Sequence, residues 1–381
     1  MQKIINPYTP GAGVMPGYLA GRDDIIQDGK DSIYSLMNGY PRQPIIYYGL
    51  RGVGKTVLLT ALKEYAIKEG VLAFHFEIQE KVSLINDIIL SANQTLTKIS
   101  KVEKIKNIFE VAKNSLQSFT LTYTTGENSI SVEMNKKLSE MMLQSNLVEL
   151  LLNLGRLAKE SKNTIIYFID EIQYAKQNEL EALITAQHRI NQERLPITII
   201  AAGLPKTYAE RMFAFVEISS LEYKDAKNAI VNPGKPFDIT YTEEALKEIY
   251  QITEGYPYFI QQFCYLISKK YKDIDLNIVN EMKSIFFKEL DKSFFKVRFD
   301  KCTPKEKEFM FAMANCGELP CTVANVAHIL NKDLKSISPI RARLINKGLI
   351  YATRYGEIDF TIPKFDEFLK RMKINDNLTK I

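Results

Sequence analysis

Between residues 44 and 221 short apolar runs alternate with longer stretches whose apolar positions recur every three or four residues. The runs PIIYY (44–48), VLAFHFEI (71–78), 164–169, PITIIAAG (196–203) and FVEISSL (215–221) predict strands. The 3.6-residue periodicity predicts helices over 22–38, 57–70, 138–160 and 181–193. Strands alternating with helices predict a parallel sheet covered by helices on both faces. Two stretches interrupt the pattern. Residues 82–118 read as polar helix, and FTLTYTTGENSISVEM (119–134) reads as a hairpin around TGEN. Together they form an expected insertion at about 82–135, between the second and third core strands. Residues 1–20, rich in Pro and Gly, read as an extended arm.

After residue 222 the periodicity is helical only, over 224–233, 242–253, 255–271 and 275–290. This is the size of a helical lid. Residues 303–317 then predict a helix stopped by Gly317, followed by short helices at 322–331 and 334–348 and two alternating strands around Tyr355-Gly356. Helix–helix–helix–hairpin is the winged-helix order, with 334–347 in the place of the recognition helix. Three domains are therefore expected: an α/β domain over 1–221, a helical lid over 222–298 and a winged helix over 299–381.

The chemistry sits where the first strand meets the helix after it. GLRGVGKT (49–56) has the spacing of a phosphate loop and the context that loop requires, a strand entering and a helix leaving. Gly49, Gly52 and Gly54 let the backbone wrap a phosphate chain with its N–H groups inward. Lys55 reaches the terminal phosphates, and Thr56 offers a hydroxyl to Mg²⁺. The remaining loop residues Leu50, Arg51, Val53 and Val57 complete the expected nucleotide cradle. The third core strand, IIYFI, ends in Asp170-Glu171 at the carboxyl edge of the sheet, where open α/β sheets place ligands. Asp170 is expected to hold the metal and Glu171 to orient or deprotonate the attacking water. Standing alone, such a pair would read as a helix N-cap followed by a first-turn acid; the phosphate loop upstream favours the nucleotide reading.

Composition narrows the class. A 46% hydrophobic, 25% charged chain of 381 residues can bury a large core in two or three domains. No apolar run is long enough to span a membrane, and the first residues lack a signal-peptide core. Cys264, Cys302, Cys316 and Cys321 form no Cys-x-x-Cys pair, which suits reduced thiols in a cytoplasmic protein. Cys316, Cys321 and His328 make only three potential zinc ligands, so core thiols are expected instead. Residues 301–381 hold 14 Lys+Arg against 9 Asp+Glu, an excess equal to the whole chain's net charge of +5. A basic excess in one small domain points to a polyanion. On 334–347, Arg341 or Arg343 would enter a DNA major groove with Ser338 beside them, while Lys335, Lys347 and Arg354 of the wing would meet phosphates. A winged helix that binds protein, its cations merely solvated, is the alternative.

YLAGRDD (18–24), GLRGVGKT, IIYFIDEIQ, AAGLP (201–205), YAERMFAFVEISSLEYKDA (208–226), TEGYPYFIQQF (253–263) and the ending LINKGLIY…GEIDFTIP carry a resemblance over nearly the whole chain. The chain resembles AAA+-type P-loop ATPases of the clade that holds the archaeal and bacterial STAND-like ATPases and the origin-recognition-type replication initiators. The resemblance implies ATP and Mg²⁺ as ligands, adenine as the base, and Gly21-Arg22 near that base. It places Tyr256-Pro257 at the turn of the lid. It also implies that Arg211, just before the fifth strand, acts as an arginine finger on a neighbouring subunit in a homo-oligomer; capping of a helix carboxyl end is the equally weighted alternative for this residue. Two positions depart from the pattern. The fourth strand ends Ala201-Ala202-Gly203, with Thr198 earlier, where the family has a polar sensor, and Tyr256-Pro257 stand where the lid's sensor arginine is expected. The resemblance thus implies a slow, nucleotide-dependent switch coupled to DNA in replication, transposition or mobile-element maintenance. Its alternative is an ATP-driven oligomeric signalling or defence scaffold.

Overall fold

The computed structural model describes residues 5–11, 13–79, 83–99, 106–117, 119–123, 130–133, 140–205 and 212–378. The first part of the chain runs α1 (Asp23–Met37), β1 (Ile45–Tyr48), α2 (Lys55–Lys68), β2 (Leu72–Glu77), α3 (Leu84–Ile99), α4 (Lys106–Gln117), β3 (Thr120–Tyr123), β4 (Ile130–Glu133), α5 (Glu140–Glu160), β5 (Ile165–Asp170), α6 (Gln177–Gln192), β6 (Ile197–Gly203) and β7 (Ala214–Glu217). Five strands form one sheet in the order β2-β5-β6-β1-β7, with every neighbouring pair parallel.

The apolar runs dictate that order. Every residue of β5 and β6 is buried, as a strand covered on both faces must be. Alternation along β5 sends Ile166 and Phe168 to one core and Ile165, Tyr167 and Ile169 to the other. The second core is filled by α3, α4, α5 and α6. The first begins under α1 and α2 and continues without a break into the helices after residue 222 and those after 303. This is the P-loop NTPase sheet of AAA+ type.

Three boundaries differ from expectation. The polar helix over 82–118 is two helices, α3 and α4, and β3 and β4 pair antiparallel as the expected hairpin, whose TGEN turn lies outside the described residues. The fifth strand stops at Glu217 rather than 221. Ile218 N still reaches Tyr48 O at 2.7 Å, but Leu221 N is taken by Gly255 O at 2.8 Å, which turns the chain off the sheet towards the lid. The helix expected from 255 starts at Pro257, because proline suits a first helical turn and lacks the N–H of later turns.

Beyond β7 come α7 (Tyr223–Gly234), β8 (Thr240–Tyr241), α8 (Glu243–Thr253), α9 (Pro257–Ser268), β9 (Asp273–Ile274) and α10 (Leu276–Leu290), which runs through a π-helical turn at 291–295 into α11 (Lys296–Phe299). The last part comprises α12 (Pro304–Ala314), β10 (Cys321–Thr322), α13 (Val323–Ile329), α14 (Leu334–Asn346), β11 (Ile350–Ala352), β12 (Glu357–Phe360) and α15 (Phe365–Leu378). Its three strands form an antiparallel sheet in the order β10-β12-β11. A capping box between Thr303 and Glu306 starts α12. The last part is fastened to the helices between residues 222 and 299: Phe368 stacks on Phe295 at 5.2 Å, Arg371 meets Asp291 at 2.6 Å, and Lys364 meets Glu254 at 2.5 Å. The four cysteines are free, and the described residues hold no cluster of metal-ligating side chains. No described helix is long and apolar enough to cross a membrane.

Candidate functional site

The carboxyl ends of β1 and β5 open into a cavity of about 340 Å³, within the range of small-molecule sites. The loop between β1 and α2 forms its floor. Gly49 passes so close to the next strand that a Cβ there would lie 2.1 Å from Ile218 O. Gly54, at φ +97°, makes the left-handed turn from which α2 starts. The helix end therefore points its free N–H groups into the cavity. Gly52, Val53, Gly54, Thr56 and Val57 line it; Gly49 and Leu50 shape the loop from behind.

Lys55 is buried, and its Nζ donates to Gly49 O at 2.9 Å and Leu50 O at 2.7 Å. Burial pushes its ammonium down to about 8, opposed by Glu171 and Asp170 and assisted by Arg51. A buried cation held only by two carbonyls is a receptor for an anion. Thr56 Oγ1 donates to Asp170 Oδ2 at 2.6 Å. Asp170 is buried, which raises its carboxyl above the usual range; the hydroxyl of Thr56 and the N–H of Glu171 work against the rise. A buried carboxylate beside a hydroxyl is the donor pair a hard cation takes. Mg²⁺ fits these two residues with phosphate oxygens completing its shell, since no all-protein cage exists among the described residues.

Glu171 turns out of β5 at φ +53°, which aims its carboxylate back at the cavity. Oε1 pairs with Arg51 Nη1 at 3.3 Å and Oε2 accepts from Gln173 Nε2. Gln173 is fixed in turn, its Oε1 accepting Leu204 N at 3.0 Å. Lys55, Thr56, Asp170 and Glu171, distant in sequence, thus meet at one cavity edge.

The expected base-side residues divide. Arg22 is buried and braces the loop: its Nη2 donates to Ser219 O at 2.5 Å and Val53 O at 3.3 Å, and burial lowers its guanidinium despite Asp225 nearby. Gly21 is a packing glycine whose Cβ would meet Asp225 at 2.8 Å. Pro257 lines the cavity, whereas Tyr256 is fully buried behind Gly52, its hydroxyl without a partner. Tyr258, two residues on, lines the cavity instead, as does Tyr18.

Several lining residues escaped the sequence reading. Tyr258 stacks on Phe294 at 4.4 Å, and the Arg298 guanidinium lies 4.2 Å from the Phe294 ring while donating to Phe294 O at 2.6 Å. Burial lowers the Arg298 guanidinium, as does neighbouring Arg51. Arg298 brings a further cation to the cavity, which Arg22, Arg51 and Lys55 also line, from the helices beyond residue 222, although the turn at 255–257 carries none. The only sequence signal is a lone arginine among aromatics in SFFKVRF. The arm also contributes. Tyr8 is buried and bonds Ile230 O at 2.6 Å and Tyr241 OH at 2.8 Å, which seats Thr9–Gly11 and Val14 on the cavity wall.

Arg211 lies outside the described residues. On α14, Lys335 and Ser338 are exposed and Arg341 is partly buried with an unpartnered Nε. Arg343 and Lys347 lean on the buried carboxylate of Glu306 at 3.5 and 2.7 Å, and Arg354 pairs with Glu357 at 2.7 Å.

Comparison with known proteins agrees with the fold. Residues 18–200 match the AAA ATPase domain family, and residues 292–369 match a domain of unknown function, DUF8462. No curated protein matches the chain. Among solved structures, the Walker-type ATPase PABY2304 of Pyrococcus abyssi is similar at 14% identity and TM-score 0.53, over 92% of this chain and 96% of that one. At 14% identity this similarity speaks to the fold. The RuvB Holliday junction branch migration motor of Thermotoga maritima (14% identity, TM-score 0.44, 92% and 95% covered) and the Aeropyrum pernix Orc1 protein in complex with DNA (12%, 0.46, 95% and 95%) are more distant in shape.

Proposed function

Residues 18–200 belong to the AAA ATPase domain family, and from that premise we propose that the chain binds and slowly hydrolyses ATP as a nucleotide-dependent switch. The observation that carries the reading is the 2.6 Å contact of Thr56 with Asp170, formed beside Lys55 and Glu171 at the mouth of a cavity walled by the lid. In that cavity the loop N–H groups and Lys55 hold the β- and γ-phosphates, and Arg298 meets them from the lid. Mg²⁺, held by Thr56 and Asp170, neutralises phosphate charge when bound. Glu171 takes a proton from the attacking water as the γ-phosphoryl leaves ADP. The buried end of β6, with Ala201 and Ala202 in place of a polar side chain, supports slow turnover.

The output is assigned to residues 299–381, whose helices and antiparallel hairpin we read as a winged helix that binds duplex DNA. Lys335, Ser338, Arg341 and Arg343 on α14 form the reading face, and Lys347 and Arg354 the phosphate contacts. A specific observation favours the scaffold alternative. Glu306 and Glu357 already engage Arg343, Lys347 and Arg354, while Leu334 and Tyr355 are exposed. Such a surface suits a protein partner.

ATP turnover of the purified chain, with and without mixed-sequence duplex DNA, tests both. Stimulation by DNA that Lys55→Ala and Glu171→Gln abolish is the expected result. Turnover indifferent to DNA transfers the output to protein binding; absence of ATP binding refutes the whole reading.

A further inference from the structure

All three side-chain nitrogens of Arg51, in the middle of the phosphate loop, are committed, and none to another part of that loop. Nη1 pairs with Glu171 Oε1 at 3.3 Å, Nη2 donates to Tyr174 OH at 2.7 Å, and Nε donates to Gly348 O at 3.2 Å. Its main-chain N–H donates to Thr361 O at 3.2 Å. Gly348 and Thr361 belong to the C-terminal part and are themselves joined, Thr361 Oγ1 donating to Gly348 O at 2.6 Å. The fit is specific. Gly348 has φ +63°, which favours glycine, and a Cβ there would lie 2.6 Å from Arg51 Nη2, so a side chain would displace the guanidinium from this position. With Gln173 on its other oxygen, Glu171 has both carboxylate oxygens engaged by side chains.

We infer that Arg51 is a latch: in the arrangement seen it clasps the C-terminal part at Gly348 and Thr361 and keeps the Glu171 carboxylate engaged rather than free to take a proton, so that loosening the C-terminal part raises turnover. The inference rests on the nucleotide reading above. Arg51 also lines the phosphate cavity. Phosphate in the loop competes for the same guanidinium, and a residue with one fixed fork of donors cannot serve both. Binding of a triphosphate therefore shifts Arg51 part of the way off Glu171 and Gly348 together, and a clasped population that persists at saturating nucleotide limits turnover. One event frees the base and loosens the C-terminal part, which couples the pocket to the output without a contact between nucleotide and that part. The Arg51–Glu171 pair is about one-fifth to one-quarter exposed on each side, so water screens it and the latch is weak enough to open. Arg51 acts here as a positioning residue.

Two variants of the full chain test this. Arg51→Met removes the guanidinium and keeps the main-chain bond. Lys364→Ala with Arg371→Ala cuts the ties to Glu254 and Asp291 and leaves the pocket untouched. Both are expected to raise kcat roughly two- to fivefold; KM should stay near wild type in the double variant and rise in Arg51→Met, which also loses the guanidinium that phosphate recruits. Both are also expected to speed amide hydrogen exchange over 348–362 in nucleotide-free protein, and the non-hydrolysable analogue AMP-PNP should do the same to wild type. Adding Glu171→Gln should abolish the gain in kcat and leave the exchange change. Unchanged or lower kcat in the double variant, whose pocket is intact, overturns the inference, as does exchange over 348–362 that neither variant alters. Faster exchange in both variants with no ATP bound by wild type supports the mechanical clasp and places the failure in the nucleotide assignment instead.

Discussion

Replacing Arg298 by Gln should weaken ATP binding about ten- to a hundredfold. The side chain is half-buried, lies 4.2 Å from the Phe294 ring and faces the cavity between the lid and the phosphate loop. A unit charge about 4 Å from a phosphate at an effective dielectric of about 20 gains about 4 kcal/mol. Dehydration of both groups removes part of that gain. A charge-assisted hydrogen bond contributes a net 1.5–3 kcal/mol or so, which is the quoted range of affinity. Glutamine is about two bonds shorter and neutral, and the stack of Tyr258 on Phe294 does not depend on it, so the loss reports on the charge and reach of the guanidinium. Arg298→Lys should recover part of the affinity, because it restores the charge without the planar fork. The assay is a titration with a fluorescent ATP analogue, with thermal melts of the nucleotide-free variants as a folding check. An Arg298→Gln protein that melts like wild type and binds within twofold of it would refute the assignment of this wall to the phosphates.

Two further outcomes follow from buried charges. Burial pushes Lys55 down to about 8, below its unfolded value, so bound phosphates should raise it again. Calorimetry in buffers of different ionisation enthalpy is expected to show proton uptake on ATP binding at pH 8–9 and little at pH 6.5, and affinity should fall as pH rises through 8. The folded carboxyl of Glu306 is lowered by Lys347 Nζ at 2.7 Å and Thr303 N at 2.8 Å, which outweigh its burial. Its contribution is present above the unfolded carboxylate range and is lost as pH falls through the lowered folded value. Glu306→Gln should therefore cost about 1–3 kcal/mol at pH 7 and progressively less as pH falls below the usual carboxylate range, read from urea unfolding across that range.

The sequence by itself determined the sheet and the acid–loop pair. Buried parallel strands must read as continuous apolar runs, so β1, β5 and β6 stood out unaided. The phosphate loop was equally legible, because its glycines answer local backbone needs that no distant contact can supply. Asp170 and Glu171 were legible because the end of a strand fixes their place at the sheet edge.

The tertiary structure alone decided which cations meet the cavity. Arg298 is about 250 residues from the loop it faces, and no periodicity joins them. Tyr256 and Tyr258 are two residues apart at the start of one helix, yet one is core and the other lining. Their side chains point along different directions of a 3.6-residue turn, and only the packing of α9 on Gly52 selects between them. The cations of α14 looked alike in sequence; the buried Glu306 of a different helix separates Arg343 and Lys347 from Lys335. The clasp of Arg51 on Gly348 and Thr361 depends on how two parts of the chain dock, and docking is set by the apolar core they share. Local patterns specify elements and their nearest turns. Contacts across hundreds of residues are specified by the sum of many weak packing choices, which only the folded chain displays.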